Sequence, residues 1–241
     1  MTPYSKCPRL RCIRTTALVA AMSLPVISMV SVEPAHPGMA PIGRYLMGKA
    51  QEIDLARSAA PASLSSHASV MVLGNHGYVT AVKGSNGFVC LVARSWDNRP
   101  SVNRARFWNS KSVIPYCFNP AGARSLLAEY LMKTRWALAG LSERKISARI
   151  KAAWSEGKFK EPQSGAMSYM LSNRAQLDVK GVPGPAPGPW RPHLMFYVPN
   201  RQVPPWGENL PGSPVLAHFG EHVTVFFVLV PYWSDGTPAP K

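Results

Sequence analysis

The chain has 241 residues, with 27 Lys and Arg against 12 Asp and Glu, for a formal charge of +15. Its 24 prolines and 18 glycines exclude a helical bundle and imply a loop-rich domain. Four cysteines with no Cys-x-x-Cys remove thioredoxin-like redox chemistry and a four-cysteine zinc site.

The N-terminus comes first. Lys6, Arg9, Arg11 and Arg14 precede an uncharged, mostly apolar run over 15–32, the pattern of an export signal. Pro25 interrupts its hydrophobic part, and Ser28, Ser31 and Ala35 are candidates for the residue before the cut. The run is shorter than the ~20 apolar residues of a comfortable membrane span, so cleavage is preferred over an uncleaved anchor. The organisation expected is a signal peptide over 1–31, a flexible lead-in over 32–48 and one α+β domain over 49–241. Losing the signal removes four basic residues and no acid, leaving about +11 of the +15. Such a charge favours anionic partners, which outside the cytoplasm means an envelope component or acidic polysaccharide rather than nucleic acid. The destination is the periplasm or the medium, and no later run is long enough to be transmembrane.

Cys7 and Cys12 leave with the signal, so Cys90 and Cys117 remain, and an oxidising compartment pairs them. Two separately buried thiols are the alternative.

The element pattern is mostly antiparallel sheet with two to three helices. A short helix is expected over 48–58. Runs over 69–73, 78–82 and 88–93 are β-rich and separated by Asn75-His76-Gly77 and Gly84-Ser85-Asn86-Gly87, which predicts an antiparallel meander. Two helices follow. The first covers 121–139, with Leu127, Tyr130, Leu131, Trp136 and Leu138 as core contacts and Gly140 as its stop. Ser142 caps the second, a basic amphipathic helix with Ile146, Ile150 and Ala153 or Trp154 on one face and Arg144, Lys145, Arg149 and Lys151 on the others. Strands are expected over 165–172, 193–198, 215–219 and 222–232. The Pro/Gly tract 181–189 reads as a surface loop.

Three groups of residues carry possible chemistry. Arg94, Trp96, Arg104, Arg106 and Trp108, with Arg99, Phe107 and Lys111, combine guanidinium and indole as an anionic, ring-bearing ligand requires; a solvated loop pinned by buried aromatics explains them equally. His193 opens an apolar strand and can transfer protons with Tyr169 or Ser168 as neighbours, or simply bond a carbonyl at the sheet end. His193, His218 and His222 form a possible metal set, against which His218 and His222 read as a hairpin turn. Ser155-Glu156-Gly157-Lys158 matches Ser-x-x-Lys without the partner motifs of penicillin-recognising enzymes. No cofactor is favoured.

Asn86-Gly87-Phe88-Val89-Cys90-Leu91-Val92, Phe107-Trp108-Asn109, Cys117-Phe118-Asn119-Pro120, Gly165-Ala166-Met167-Ser168-Tyr169-Met170, Pro192-His193-Leu194-Met195-Phe196, Asn209-Leu210-Pro211-Gly212-Ser213-Pro214 and Trp233-Ser234-Asp235-Gly236 carry a resemblance. Over residues 46–240 the chain resembles a group of hypothetical exported bacterial proteins. The resemblance implies export and brings no activity, cofactor or site residue. The leading expectation is an exported domain that binds an anionic or envelope-associated ligand through a basic and aromatic surface. A hydrolase or metal-assisted enzyme centred on His193, and an envelope assembly protein with an open sheet edge, are the alternatives.

Overall fold

The computed structural model describes residues 36–97, 107–176, 191–203, 206–219 and 222–239. Contacts divide the chain into Met1–Ser31 and Val32–Lys241. The expected signal and its cleavage positions lie outside the described residues, as do the 181–189 tract and residues 98–106.

The second unit is α+β. Among the described residues eight strands form one sheet in the order β2-β1-β3-β4-β5-β6-β8-β7. In chain order they are β1 (Ser69–Gly74), β2 (Gly77–Val82), β3 (Val89–Ala93), β4 (Ile114–Phe118), β5 (Met167–Met170), β6 (His193–Pro199), β7 (Val215–Phe219) and β8 (Val223–Leu229). The helices are α1 (Lys49–Arg57), α2 (Ala62–Ser65), α3 (Pro120–Leu138) and α4 (Glu143–Ser155), with 3-10 turns at Ile42–Arg44, Ser95–Asp97 and Asn200–Gln202.

Every neighbouring pair is antiparallel except β1 and β3, which run parallel through Ser69↔Val89 and Val70↔Cys90. The expected meander is therefore corrected: β1 and β2 form the hairpin, but β3 crosses to the far side of β1 and leaves β2 at the edge. The connection takes this route by pressing against the start of β1. A Cβ on Gly84 would stand 2.2 Å from the Ser69 nitrogen, a distance only glycine avoids. The Ser85 N–H donates to the His67 carbonyl at 2.9 Å, and Asn86 Nδ2 donates to the Leu64 carbonyl at 2.8 Å.

Strand alternation separates two cores. Leu91, Tyr116, Phe118, Met170, Met195 and Tyr197 face one way, with Leu126 of α3 and Ile146 of α4 in the same cluster. Val70, Cys90, Val92 and Cys117 face the other way beneath Leu55 and Ala56 of α1. Cys90 and Cys117 are directly opposite on β3 and β4 and form the expected disulfide. The lead-in is corrected as well. Met39 and Tyr45 are buried, and the Tyr45 hydroxyl donates to the Trp108 carbonyl at 2.6 Å, so the chain is packed from about residue 39.

Helix boundaries follow local chemistry. Asn119 caps α3 by accepting the Gly122 N–H at 2.8 Å, Pro120 occupies the first turn, and Gly140 at φ 76° ends it, with the Leu141 N–H donating to the Trp136 carbonyl. Ser142 caps α4 by accepting the Lys145 N–H. The expected core contacts of α3 all pack against the main cluster. Leu127, Tyr130, Leu131, Trp136 and Leu138 are only partly buried, while Ser125, Leu126, Lys133, Thr134 and Ala137 lie deepest. Among the described residues no helix is long and apolar enough to cross a membrane.

Candidate functional site

The basic and aromatic group of 94–111 does not form one surface. Arg94 is fully buried: Nε donates to the Tyr45 carbonyl at 2.9 Å, Nη1 to the Val92 carbonyl, and Nη2 to Glu52 Oε1 at 2.8 Å. Glu52, from α1, is equally buried and also accepts the Leu73 N–H at 3.1 Å. Trp96 is buried too, its Nε1 donating to Thr134 Oγ1 at 3.0 Å. Trp108 is half-buried, stacked on His36 at 4.8 Å and edge-on to Phe107. Lys111 is exposed, and Arg99, Arg104 and Arg106 lie outside the described residues. The correction has a physical cause: a guanidinium with a carboxylate and two carbonyls as partners is satisfied inside a core, and Glu52 is 42 positions away in sequence.

His193 and Ser168 share the α3 face of the sheet, whereas Tyr169 points to the α1 face beside Phe88, at 6.2 Å between rings. Tyr169 is therefore no partner of His193. The His193 Nδ1–H donates to the Arg191 carbonyl at 2.8 Å, the ring lies 5.3 Å from that of Phe227, and burial lowers the imidazole from 6.5 to about 4. The carbonyl bond fixes the proton on Nδ1. Ser168 shares a hydrogen bond of 2.8 Å with the Tyr197 hydroxyl.

Register also separates the histidines. His193 pairs with Leu229 at one end of the β6 and β8 ladder, and Pro199 pairs with Val223 at the other. Six residues of strand, ~20 Å, therefore separate His193 from the end where His222 precedes β8 and His218 pairs with Thr224. The set His193, His218 and His222 cannot hold one ion. His222 instead stacks on Trp154 at 4.8 Å. Ser155 donates to the Lys151 carbonyl at 3.0 Å, and the Lys158 ammonium pairs with Glu156 at 2.5 Å, so Ser155 and Lys158 are not a nucleophile and its base.

Between α3 and the sheet lies a buried polar cluster that sequence reasoning missed. Lys133 is buried with its ammonium 3.5 Å from Glu129 Oε1, and Glu129 Oε2 accepts the Trp154 Nε1–H at 3.0 Å, tying α4 to α3. Tyr116 packs edge-on against Tyr130 at 5.5 Å between rings, and the Tyr197 hydroxyl reaches Ser168. Burial raises all three phenols. Asp97 Oδ2 accepts the Arg94 N–H at 3.1 Å, and burial raises this carboxyl to about 6 against the attraction of Lys133 and Arg94. Tyr116, Tyr130 and Lys133 sit at apolar-compatible spacings, so only their convergence marks them.

The outward surface of α4 has the opposite character. Arg144, Lys145, Arg149 and Lys151 are exposed, with Ala148, Ala152 and Ser155 between them, while Ile146 and Ala153 face the core. Arg149 lies 5.9 Å from the ring of Trp136 on α3. Glu143, the half-buried first residue of the helix, is the acid nearest this arc in sequence, and Glu156, just past the helix, pairs with Lys158. The arrangement gathers cations on one rigid support, presents no large apolar side chain for insertion into lipid, and sets one guanidinium over an indole ring. Among the described residues no group of three His, Cys, Asp or Glu converges to hold a metal. Comparison with known proteins adds no relative: the chain matches no family model, no curated protein and no solved structure.

Proposed function

We propose that this protein is an exported domain that binds an anionic envelope polymer, in the class of acidic polysaccharides, through the outer face of α4. The observation that carries the reading is the arc of Arg144, Lys145, Arg149 and Lys151, four exposed cations on one helix. A cationic row on a preformed helix attracts a polyanion at long range and loses little conformational freedom on binding. The disulfide supports an oxidising compartment, as export requires. The surface differs from the one expected around Arg94 and Trp96, and the class of ligand stays the same.

The test is binding to a polyuronate and to a sulfated polysaccharide over a salt series, for wild type and for a variant carrying Arg144→Gln, Lys145→Gln, Arg149→Gln and Lys151→Gln. Wild type is expected to bind at low salt and to release as salt rises. The variant is expected to lose at least tenfold in affinity with an unchanged circular dichroism spectrum. Equal binding by the two proteins, or none by wild type at low salt, overturns the reading.

Assembly through a sheet edge has one observation in its favour: β2 is an edge strand, and its Val79 is 56% exposed. The β7 edge is partly covered, because Asn209 Oδ1 accepts the Leu216 N–H and the Asn209 N–H donates to the Pro214 carbonyl. Sedimentation of wild type against Val79→Lys tests this second reading, which requires a dimer that the lysine abolishes.

A further inference from the structure

We propose that Asp97 makes the 3-10 turn Ser95–Asp97 a pH-sensitive joint of the core: with the carboxyl neutral the turn stays sealed beneath α3, and ionisation opens it and exposes Trp96. The geometry is that of a carboxylate deprived of solvation. The residue is 9% exposed, Oδ2 accepts the Arg94 N–H, and Oδ1 has no hydrogen-bond partner among the described residues. No cation among the described residues lies within ion-pair distance of it.

The groups around Asp97 explain why it is left uncompensated. Just past β3, Arg94 commits its guanidinium to Glu52 of α1 and to two carbonyls. From α3, Lys133 attracts the carboxylate while Glu129 repels it, and Lys133 has Glu129 as its own partner at 3.5 Å. Tyr130 of α3, Tyr78 of β2 and Tyr116 of β4 also feel the Asp97 charge. A phenol is either neutral or negative, so none of the three supplies a counter-charge to a carboxylate. Burial outweighs the attraction, and the carboxyl titrates near 6.

Among the described residues, few bonds hold the closed turn. The Asp97 N–H donates to the Arg94 carbonyl at 2.9 Å, Ser95 Oγ donates to the Phe107 carbonyl at 2.7 Å, and Trp96 Nε1 reaches Thr134. Opening returns the carboxylate to water and to its ordinary value of 3.8. The sign follows from linkage. Below about pH 4 both states are protonated and opening is rare; above about pH 6 only the closed state suffers from the charge, and the opening constant rises by roughly a hundredfold across the interval.

Amide exchange read by mass spectrometry on peptides spanning residues 94–97, at pH 4 to 8 and corrected for the intrinsic rate, tests the proposal. Wild-type opening is expected to climb roughly a hundredfold and then level off, and Asp97→Asn is expected to be flat. Lys133→Met removes the attracting charge and is expected to move the climb to higher pH, a change that a merely structural role for Lys133 does not produce. A flat wild-type profile, opening that grows toward acid, or a wild-type profile in Asp97→Asn overturns it. If Asp97→Asn does not fold, the Lys133→Met midpoint decides: displaced upward it supports the proposal, unmoved it refutes it.

Discussion

The Glu52 and Arg94 pair offers the sharpest test of how the core is held. Both side chains are fully buried, joined at 2.8 Å, and they tie α1 to the end of β3. Glu52→Gln keeps the shape and the acceptor for the Leu73 N–H but leaves the Arg94 charge with carbonyls alone. Arg94→Met leaves a buried carboxylate and removes the donor from the Tyr45 carbonyl. Breaking a buried pair by removing one partner costs about 3–5 kcal/mol, since an uncompensated charge remains in low dielectric. Removing both charges together abolishes that penalty, leaving mainly the orphaned Tyr45 carbonyl, about 1–3 kcal/mol. The double variant is therefore expected to be no less stable than either single one, a coupling of about 3 kcal/mol or more. Urea unfolding at pH 7 for all four proteins measures it. If the two single losses simply add in the double variant, the pair is not the coupled unit described. If Arg94→Met is neutral in stability, Arg94 is not a core residue at all.

Three further expectations concern acid, the disulfide and a helix cap. The His193 imidazole is held down to about 4, so the neutral ring is favoured in the fold; its contribution is complete above pH 6.5 and falls by about 3 kcal/mol as pH drops toward 4. Asp97 gains stability by protonation over nearly the same range, so the two contributions offset in wild type, and the readout is the stability difference between wild type and His193→Asn, which should narrow on acidification. Replacing Cys90 and Cys117 with Ala opens a link spanning 27 positions and should cost about 3.5 kcal/mol by chain entropy, measured as a lower urea midpoint. Asn119→Ala removes the acceptor for both the Gly122 and Met167 N–H groups and the donor to the Gly165 carbonyl. A loss of about 2 kcal/mol is expected, more than an ordinary cap, and an effect under about 0.5 kcal/mol contradicts the stitching role.

Local signals made much of the architecture legible. Gly140 and Ser142 marked where α3 stops and α4 starts because positive φ and an N-cap oxygen are properties of single residues. Ile146 and Ala153 were readable as the inner face of α4, and Arg144, Lys145, Arg149 and Lys151 as its outer face, because one helical period sorts them. The pairing of Cys90 with Cys117 followed from counting.

Other features depended on contacts between distant segments. The sequence of β3 is the same whether it pairs with β1 or β2; the passage of Gly84 against Ser69 decided that, and with it the sheet order. A basic residue beside a tryptophan looks like a binding surface until Glu52 arrives from α1 and carries Arg94 into the core. Tyr169 and Ser168 are adjacent in the chain, yet strand alternation sends them to opposite faces, and β6 and β8 register holds His193 ~20 Å from the His222 end of the ladder. Composition, caps and periodicity act over a few residues and so belong to the sequence by itself. Burial of a charge, the partner of a strand and the convergence of Asp97, Lys133 and three tyrosines are set by which surfaces exclude water together, and only the tertiary structure decided them.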